Sequence, residues 1–307
     1  MRSQIDRQIV LATYNGERFL EQQLESILSQ MGDRDELLVH DDGSTDGTRE
    51  LLRRIAGQES MVRLLVHPPA GGPKENFAFL LGQTSARYVY CADQDDVWMP
   101  GKLDRFEQVI QFYESVYGED TPLLVHSDLS LIDEAGSPIS DSLWYYQAID
   151  PRWGDHFNLI MTQNAVTGCA MMVNRALLKI ALPIPCQAVM HDWWLAMVAC
   201  AFGKVVWLPE VTVLYRQHRD NNVGAKRFVI NPVKQFQYRE QIRTSLLEST
   251  AQAGAFAQRY VDSPWVELAR IYSELPSLSY PSRRYSLVRH KFFKSTLLKN
   301  LAWVIFV

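Results

Sequence analysis

The sequence predicts an α/β fold: a doubly wound, mostly parallel sheet flanked by helices and followed by a C-terminal helical segment. In the first half of the 307 residues, short apolar runs alternate with segments of helical periodicity. Turn-forming residues bound these runs, which is typical of βα units. The strand signals fade beyond residue 226, so we expect two regions, 1–225 and 226–307.

Four strands separated by helices are expected at the start of the chain. The apolar runs that predict them occupy 8–13, 36–40, 62–66 and 88–92. The first helix begins near Glu17 and repeats apolar side chains every three or four residues. Cap candidates at 44–46 and the turn at 71–73 precede the second and third helices, and a longer helix is expected over 102–117.

The pattern then becomes less regular. Further strands are predicted at 123–126, 166–173, 204–207 and 211–215, with a helix over 191–202 and an aromatic, loop-rich stretch around 144–146. A helical segment over 232–275 follows, with a break near 263–264. The residues 283–307 contain six cations and no acidic side chain, interleaved with apolar residues. This pattern predicts a basic amphipathic helix, which either lies on an anionic membrane surface or packs on the protein.

The composition is that of an ordinary globular protein, with 47% hydrophobic and 21% charged residues. A net charge of -4 gives no general reason to expect nucleic acid as a partner. The four cysteines show no CxxC spacing and are expected to be buried thiols, not zinc ligands or disulfides. The apolar run 9–11 is too short for a signal sequence, so we expect the catalytic part in the cytoplasm.

Three carboxylates, Asp93, Asp95 and Asp96, follow the fourth predicted strand within four residues. Because like charges at that spacing repel, we expect a cation among them, unless the segment is a solvated acidic turn. Hard oxygen ligands suit Mg²⁺ or Mn²⁺ rather than zinc, and Mg²⁺ commonly completes its shell with substrate phosphates.

Two other predicted strands also end in polar clusters. Tyr14 lies just before the first helix and can stack on a flat ring, although such a segment is often only a capped turn. Asp42 can accept hydrogen bonds from a base or a ribose. The segment after it is not an EF-hand, because Arg53 occupies the twelfth position. Parallel strands should bring Tyr14, Asp42 and Asp93 to one edge of the sheet.

Two more candidates lie downstream. Asp192 opens a predicted helix, where it serves either as an N-terminal cap or as a general base. His218 follows a predicted strand beside two arginines. By itself, a histidine at that place is usually structural.

Taken together and in this order, these motifs resemble those of the inverting family 2 glycosyltransferases, which have the GT-A fold. The resemblance covers about 9–224, and within the family it is closest to the rhamnosyltransferase group of bacterial surface polysaccharides. The pair Asn76-Phe77 and the segment 167–169 are also similar to that group. The motifs are 12–16 (ATYNG), 41–46 (DDGSTD), 93–98 (DQDDVW), 191–194 (HDWW) and 215–218 (YRQH).

The resemblance implies roles for individual residues. Asp95 would hold a divalent cation, Mg²⁺ or Mn²⁺, with His218 as a further metal or diphosphate contact. Asp192 matches the general base, although His191 stands where the family commonly has an acidic residue. The residues that would contact the nucleotide end of the donor are Thr13, Tyr14, Asp41, Asp42 and Asp93.

The activity that the resemblance implies is metal-dependent, inverting transfer of a sugar from a nucleotide-diphosphate donor. The donor would be dTDP-rhamnose, and the acceptor a hydroxyl of a glycan or lipid-linked sugar in O-antigen or capsule biosynthesis. Segment 283–307 would then contact the inner face of the cytoplasmic membrane.

Three other functions share part of this sequence pattern. Residues 93–97 also satisfy the DxDx[TV] pattern of haloacid dehalogenase-like phosphatases, but that family places the motif near the N-terminus. A sugar nucleotidylyltransferase would need a glycine-rich basic loop after the first strand, which 15–17 is not. A non-catalytic nucleotide-binding or glycan-binding protein that retains the fold stays open, because a fold does not fix a function.

Overall fold

A mixed sheet of nine strands forms the centre of the computed structural model, which describes residues 5–219, 224 and 235–307. The expected boundary at 225–226 and the start of the predicted helical segment at 232 lie outside these residues. The strands are β1 (Arg7–Thr13), β2 (Asp35–Asp41), β3 (Val62–Leu64), β4 (Tyr88–Asp93), β5 (Val97–Trp98), β6 (Leu123–Ile132), β7 (Pro138–Ser140), β8 (Met171–Asn174) and β9 (Lys204–Arg216).

Helices cover both faces of this sheet. They are α1 (Glu17–Leu28), α2 (Thr48–Gln58), α3 (Pro73–Gly82), α4 (Lys102–Tyr117), α5 (Leu143–Gln147), α6 (Phe157–Ile160), α7 (Arg175–Ala181), α8 (His191–Phe202), α9 (Gln235–Arg259), α10 (Val266–Ser273), α11 (Tyr280–Arg289) and α12 (Leu297–Phe306). None of the helices in the described residues combines the length and hydropathy needed to cross a membrane.

The strand order is β3-β2-β1-β4-β8-β6-β9-β5, with β7 paired to β6. The first four strands are parallel, as predicted, because helices α1, α2 and α3 return the chain between them. The second half is mixed: β8 lies antiparallel between β4 and β6, while β6 and β9 are parallel. The predicted α/β sheet is therefore confirmed, and its parallel part is confined to β1–β4 and the β6–β9 pair.

Three element predictions are wrong in detail. The expected strand 166–173 begins only at Met171, because residues 168–170 form a 3₁₀ turn. The strands expected at 204–207 and 211–215 are one strand, β9, whose register shifts near Pro209, a residue without an N–H for the ladder. The aromatic stretch at 144–146 lies in the short helix α5.

The single amphipathic helix expected over 283–307 is also wrong, because α11 and α12 are separate helices. Several of its cations are used to hold the chain together. Arg283 Nη1 donates to the Val307 carbonyl at 2.6 Å, and Lys299 Nζ donates to the Gln147 carbonyl at 2.7 Å. The segment thus packs on the protein and does not form one solvated basic face.

The sheet has a hydrophobic layer on each face. Residues of α1, α2 and α4 bury side chains such as Leu24 and Phe106 against one face. The other face is covered by α3, α7, α8 and the C-terminal helices, which share one continuous core. Trp194 of α8 and Phe256 of α9 both lie fully buried in that core.

The four cysteines are free thiols, as expected. Cys91 and Cys169 are buried and Cys200 is partly buried. The expectation of burial is wrong for Cys186, which is exposed in the segment between α7 and α8.

Candidate active site

The polar ends of β1, β2 and β4 meet at one edge of the sheet. Thr13 pairs with Asp41, and Ala12 pairs with Asp93 in the parallel ladders. Because parallel strands end on the same side, Tyr14 and Asp42 follow directly at this edge. The convergence expected from the sequence is therefore present.

Asp41 is held within its own turn. Its carboxylate accepts hydrogen bonds from the Ser44 N–H at 2.9 Å, from Thr13 Oγ1 at 3.1 Å and from Arg49 Nε at 2.7 Å. Burial acts to raise the pKa of Asp41, but the hydrogen bonds from Ser44, Arg49 and Thr13 outweigh it, so the pKa is lowered. Asp41 is thus an ionised anchor that shapes the 41–47 turn.

Asp42 holds a second loop at the same edge. Its Oδ1 accepts from the N–H groups of Ala70 and Gly71, the latter at 3.1 Å, and its Oδ2 accepts from the Gly72 N–H at 2.8 Å. Three backbone donors thus converge on one carboxylate. The loop 70–72, which precedes α3, is therefore fixed beside the end of β2.

Tyr14 presents an exposed ring, with 52% of its surface accessible. Its backbone is fixed by the Gln94 side chain, which accepts from the Tyr14 N–H at 2.8 Å and donates to the Tyr14 carbonyl at 2.9 Å. A Cβ on Gly16 would lie 2.2 Å from Gln94 Oε1, so only glycine leaves room for this contact. Gln94 links the loop after β1 to the carboxylate segment after β4.

Asp95 and His218 form a pair across 123 residues of sequence, with His218 Nε2 2.7 Å from Asp95 Oδ2. The antiparallel pairing of β5 with the end of β9 brings them together. Both residues were expected near a metal, and the structure places them in direct contact.

Asp96 lies beneath this pair and is fully buried. Its Oδ1 accepts from the Arg216 N–H at 3.1 Å, while Oδ2 has no hydrogen-bond partner in the described part of the chain. Ligand atoms of Asp93, Asp96 and Cys169 lie within 4.8 Å of one another. Burial, together with the nearby charges of Asp95 and Asp93, raises the pKa of Asp96.

This arrangement fits a hard divalent cation. The carboxylate oxygens of Asp93 and Asp96 lie within 4.8 Å of one another and are of the type that Mg²⁺ and Mn²⁺ prefer, while Asp95 is paired with His218 and is not part of this group. A buried oxygen without a partner, such as Asp96 Oδ2, is also costly unless a ligand satisfies it. Cys169 does not suit the same ion, because burial raises the pKa of its thiol and keeps it protonated.

Lys102 is a buried cation that the sequence did not single out. Its Nζ donates to the Cys169 carbonyl at 2.6 Å and lies 3.8 Å from the centre of the Trp98 ring. Burial lowers the pKa of Lys102 to about 7, although the nearby Cys169 and Asp96 act in the opposite direction. Lys102 thus holds the backbone of Cys169, whose thiol lies beside Asp93 and Asp96.

Asp192 opens α8 at the same site. Its Oδ2 accepts from the Gly168 N–H at 3.0 Å and its Oδ1 from the Trp193 N–H at 2.6 Å. Burial raises the pKa of Asp192 to about 6, and hydrogen bonds from Trp193, Gly168 and Asn164 limit that rise. A carboxylate in this range can accept a proton near neutral pH.

His191 is buried beside Asp192 and stacks on Phe77, with ring centres 4.0 Å apart. Neither ring nitrogen has a hydrogen-bond partner within the described residues. Burial lowers the pKa of His191 to about 3, so the imidazole is neutral. It fills this place without adding a second charge next to Asp192.

Sequence reasoning missed four residues that shape the site: Gln94, Lys102, Asn164 and Gly168. Gln94 lies inside a recognised motif, but nothing in the pattern indicates that its amide spans to Tyr14. Lys102 follows the motif at a helix start, where a lysine is usually solvated. Asn164 and Gly168 lie in a segment that was read partly as a strand.

Comparison with known proteins finds a matching family profile over part of the chain and a matching fold over nearly all of it. The sequence profile described as Glycosyl transferase family 2 matches residues 8–119. Among curated proteins, the chain is similar to the dTDP-rhamnosyl transferase RfbG of Shigella flexneri, with 28% identity over 223 residues that cover 70% of this chain and 74% of RfbG.

Two solved structures are similar to the whole of the described fold. One is S. aureus TarS 1-349 in complex with UDP-GlcNAc, with a TM-score of 0.54, 16% identity and coverage of 93% of this chain and 80% of that chain. The other is the mannosyltransferase PcManGT from Pyrobaculum calidifontis in complex with GDP-Man and Mn²⁺, with a TM-score of 0.55, 16% identity and coverage of 94% and 74%. At these identities the structures establish the fold.

Proposed function

We propose that this chain, which matches the family 2 glycosyltransferase profile over residues 8–119 and has the GT-A fold, is a metal-dependent, inverting glycosyltransferase of that family. It moves a sugar from a nucleotide-diphosphate donor to a hydroxyl of a glycan or lipid-linked acceptor. The observation that supports this best is the buried Asp192 carboxylate, held by the Gly168 N–H at the same site as Asp93.

In this mechanism Asp192 is the general base. It accepts the proton of the acceptor hydroxyl at its carboxylate while the oxygen attacks the anomeric carbon of the donor sugar. The bond from that carbon to the diphosphate breaks as the new glycosidic bond forms, so the configuration inverts. The burial of Asp192 keeps water away from the carboxylate and raises its pKa to about 6, which strengthens it as a base.

The donor end is assigned to the edge where β1, β2 and β4 terminate. The exposed Tyr14 ring is placed to stack on the nucleobase, and Thr13 and Asp41 fix the strand ends around it. Asp42 would contact the base with lone pairs beyond those used by loop 70–72. Asp93 faces the ribose or diphosphate.

Asp95 would hold the divalent ion, and His218, whose Nε2 lies 2.7 Å from Asp95 Oδ2, would be a second contact to the ion or the diphosphate. When bound, Mg²⁺ or Mn²⁺ neutralises the negative charge that develops on the diphosphate leaving group. Asp96 keeps the segment in place through the Arg216 N–H.

We propose dTDP-rhamnose as the donor, within bacterial surface polysaccharide synthesis of the O-antigen or capsule type. The support is the similarity to RfbG, whose name states dTDP-rhamnosyl transfer. A screen of dTDP-rhamnose against UDP-, GDP- and CDP-sugars, each with Mg²⁺ and Mn²⁺, tests this donor. Preferred turnover of another nucleotide sugar would replace it without changing the reaction class.

We also propose that the enzyme works at the inner face of the cytoplasmic membrane. On α12, Leu297, Leu298, Leu301 and Ile305 are exposed by 84%, 52%, 58% and 43%. Arg289 and Lys291 are exposed nearby in sequence and can attract anionic headgroups. This contact would bring a lipid-linked acceptor close to the enzyme.

The decisive experiment for the reaction uses two variants. Asp192→Asn removes the proton acceptor but keeps the size of the side chain, and we expect it to lower kcat by at least about 100-fold. Asp95→Ala should abolish metal-dependent transfer. Both proteins should keep the far-UV circular dichroism of the wild type. A fully active Asp192→Asn enzyme would refute the base assignment, and nucleotide binding without turnover in the wild type would favour the non-catalytic alternative.

A further inference from the structure

We propose that the connection between α11 and α12, residues 290–296, positions the general base by fixing the loop 161–167, which we call the base loop. This inference rests on the proposed function, because it takes Asp192 as the base. It assigns a role in the reaction to the C-terminal helical region, which lies outside the residues 8–119 that match the family profile.

The base loop and the turn after it hold the Asp192 side chain. Asn164 acts on Asp192 by limiting the rise of its pKa, and Asn164 Oδ1 accepts from the Val166 N–H at 3.0 Å. The Gly168 N–H donates to Asp192 Oδ2 at 3.0 Å. His191, the neighbour of the base, has no hydrogen bond from its ring within the described residues and so cannot orient the carboxylate.

The N–H groups of Met161, Thr162 and Gln163 donate to carbonyl groups of α6, whereas residues 164–167 lie outside any helix or strand. The position of such a segment depends on the groups that its side chains and remaining backbone atoms contact. The α11–α12 connection supplies such contacts on the side away from Asp192.

Those contacts involve the two residues immediately before Asn164. Lys294 Nζ donates to the Thr162 carbonyl at 2.8 Å, and Thr162 Oγ1 donates to the Phe293 carbonyl. Gln163 pairs with Ser295 in both directions, since Gln163 Nε2 donates to Ser295 Oγ and the Ser295 N–H donates to Gln163 Oε1, each at 3.2 Å.

The connection is itself well anchored. The Lys294 ammonium lies 4.2 Å from the centre of the Trp303 ring, and Trp303 is fully buried. Ser295 Oγ also donates to the Ala148 carbonyl. Thr162 and Gln163 therefore link the anchored α11–α12 connection to the part of the chain that holds Asp192.

The link matters because the rate of catalysis depends on the exact position of the base. A shift of about 1 Å in a catalytic group can cost on the order of 100-fold in rate. Releasing Gln163 should therefore let Asn164 and the Asp192 carboxylate move, and lower kcat more than it lowers donor binding. Gln163 and Ser295 are positioning residues in this scheme.

The test compares Gln163→Ala with Asn158→Ala. Asn158 also bridges to the connection, because its Nδ2 donates to the Lys291 carbonyl at 2.8 Å, but it lies in α6 and not in the base loop. We expect Gln163→Ala to lower kcat by about 10- to 100-fold with an unchanged donor KM. Asn158→Ala should leave kcat unchanged at a similar loss of thermal stability.

Two further measurements complete the design. Ser295→Ala should lower kcat less than Gln163→Ala, because the backbone N–H of residue 295 still donates to Gln163 Oε1, and the double variant should be no slower than Gln163→Ala alone. Hydrogen exchange followed by mass spectrometry should show faster exchange of the Gly168 amide in Gln163→Ala but not in Asn158→Ala.

The exchange measurement separates this inference from the proposed function. Faster Gly168 exchange in a protein that transfers no sugar would support the link and refute the function. Unchanged exchange and unchanged kcat in Gln163→Ala, with an active wild type, would overturn the link and leave the function standing. Equal losses of kcat in Gln163→Ala and Asn158→Ala would also overturn it, since general destabilisation would then explain both.

Discussion

At the scale of single residues, the candidate site concentrates negative charge that the protein only partly compensates. Burial, followed by the charges of Asp95 and Asp192, raises the pKa of Asp93. Lys102 lies below the cluster, but its own burial lowers its pKa to about 7. A bound cation would relieve this repulsion, which gives the carboxylates a physical reason to need one.

The raised pKa of Asp192 predicts how the rate depends on pH. Because the base must be ionised to accept a proton, transfer should fall as the pH drops through about 6, and not through the ordinary carboxyl range near 3.8. The acid limb of kcat/KM for the acceptor, measured at saturating donor, should therefore have its midpoint near pH 6. A midpoint near 4 would contradict a buried base.

Gly168 offers a steric test of the base site. A Cβ at this position would lie 2.8 Å from His191 Nε2, so Gly168→Ala should displace the His191 ring and disturb Asp192, its neighbour in the chain. We expect a loss of about 1–3 kcal/mol in the free energy of unfolding and a drop in kcat of at least about tenfold. Chemical denaturation and steady-state kinetics measure the two effects.

Gly57→Ala is the matched control. A Cβ there meets no atom within 4 Å and lies in helix α2, so the change should stabilise the protein by about 0.5–1 kcal/mol and leave kcat unchanged. If Gly168→Ala were as harmless as this control, the tight packing around Asp192 would be refuted.

At the scale of elements, α12 is unusual because it is clamped on one side and apolar on the other. Trp303 is buried in the core, while Leu297 and Leu301 are mostly exposed. A row of exposed leucines beside cations is a surface that an anionic bilayer can cover. The helix end contributes both to the fold and to the proposed membrane contact.

Replacing only the exposed leucines of α12 should therefore weaken membrane binding without unfolding the protein. Leu297→Ser combined with Leu301→Ser should reduce co-sedimentation with phosphatidylglycerol-containing vesicles by several-fold, at unchanged thermal stability. Leu247→Ser, on the exposed face of α9 with 49% accessibility, is the control and should bind as the wild type does. Equal vesicle binding by all three proteins would reject the α12 surface.

The elements also show what sequence could predict. Strands β1, β2 and β4 and helices α1, α4 and α8 follow from uninterrupted apolar periodicity, and α4 and α8 begin and end at the expected residues. The 168–170 turn was missed because its apolar letters match a strand, whereas its backbone serves Asp192. Likewise, the C-terminal cations suggest solvation, but carbonyl groups far away in sequence hold Arg283 and Lys299 in the fold.

For the site, the sequence indicated which strand ends carry polar side chains, because that depends only on position along each strand. The contacts between these residues were not predictable. The amide of Gln94 reaching Tyr14, and the three N–H groups on Asp42, depend on loop geometry that no local pattern encodes.

At the scale of the whole molecule, the C-terminal helices and the sheet share one core. The ring centre of Phe157 lies 4.9 Å from that of Phe256 and 5.2 Å from that of Trp265. The rings of Trp194 and Tyr260 stack with their centres 6.1 Å apart. Removing a single buried aromatic side chain costs about 3–5 kcal/mol, against a total stability of about 5–15 kcal/mol for a typical domain. The described residues 235–307 therefore pack into the same core as the residues before them.

A fragment ending at residue 225 tests this dependence. We expect it to lack a cooperative thermal transition, whereas the full chain should unfold in one transition that calorimetry and near-UV circular dichroism report together. A fragment that melts cooperatively within a few degrees of the full chain would show that 1–225 is an independent domain.

The position of β8 in the sheet has a consequence for synthesis on the ribosome. Strands β1 to β4 are complete once residue 93 has been made, but the neighbour of β4 in the finished sheet is β8, which begins at Met171. During the translation of the intervening residues, β4 is an open strand edge with unpaired backbone groups. We therefore expect the nascent chain to be prone to aggregation in this interval, and chaperone binding there to raise the yield of folded enzyme.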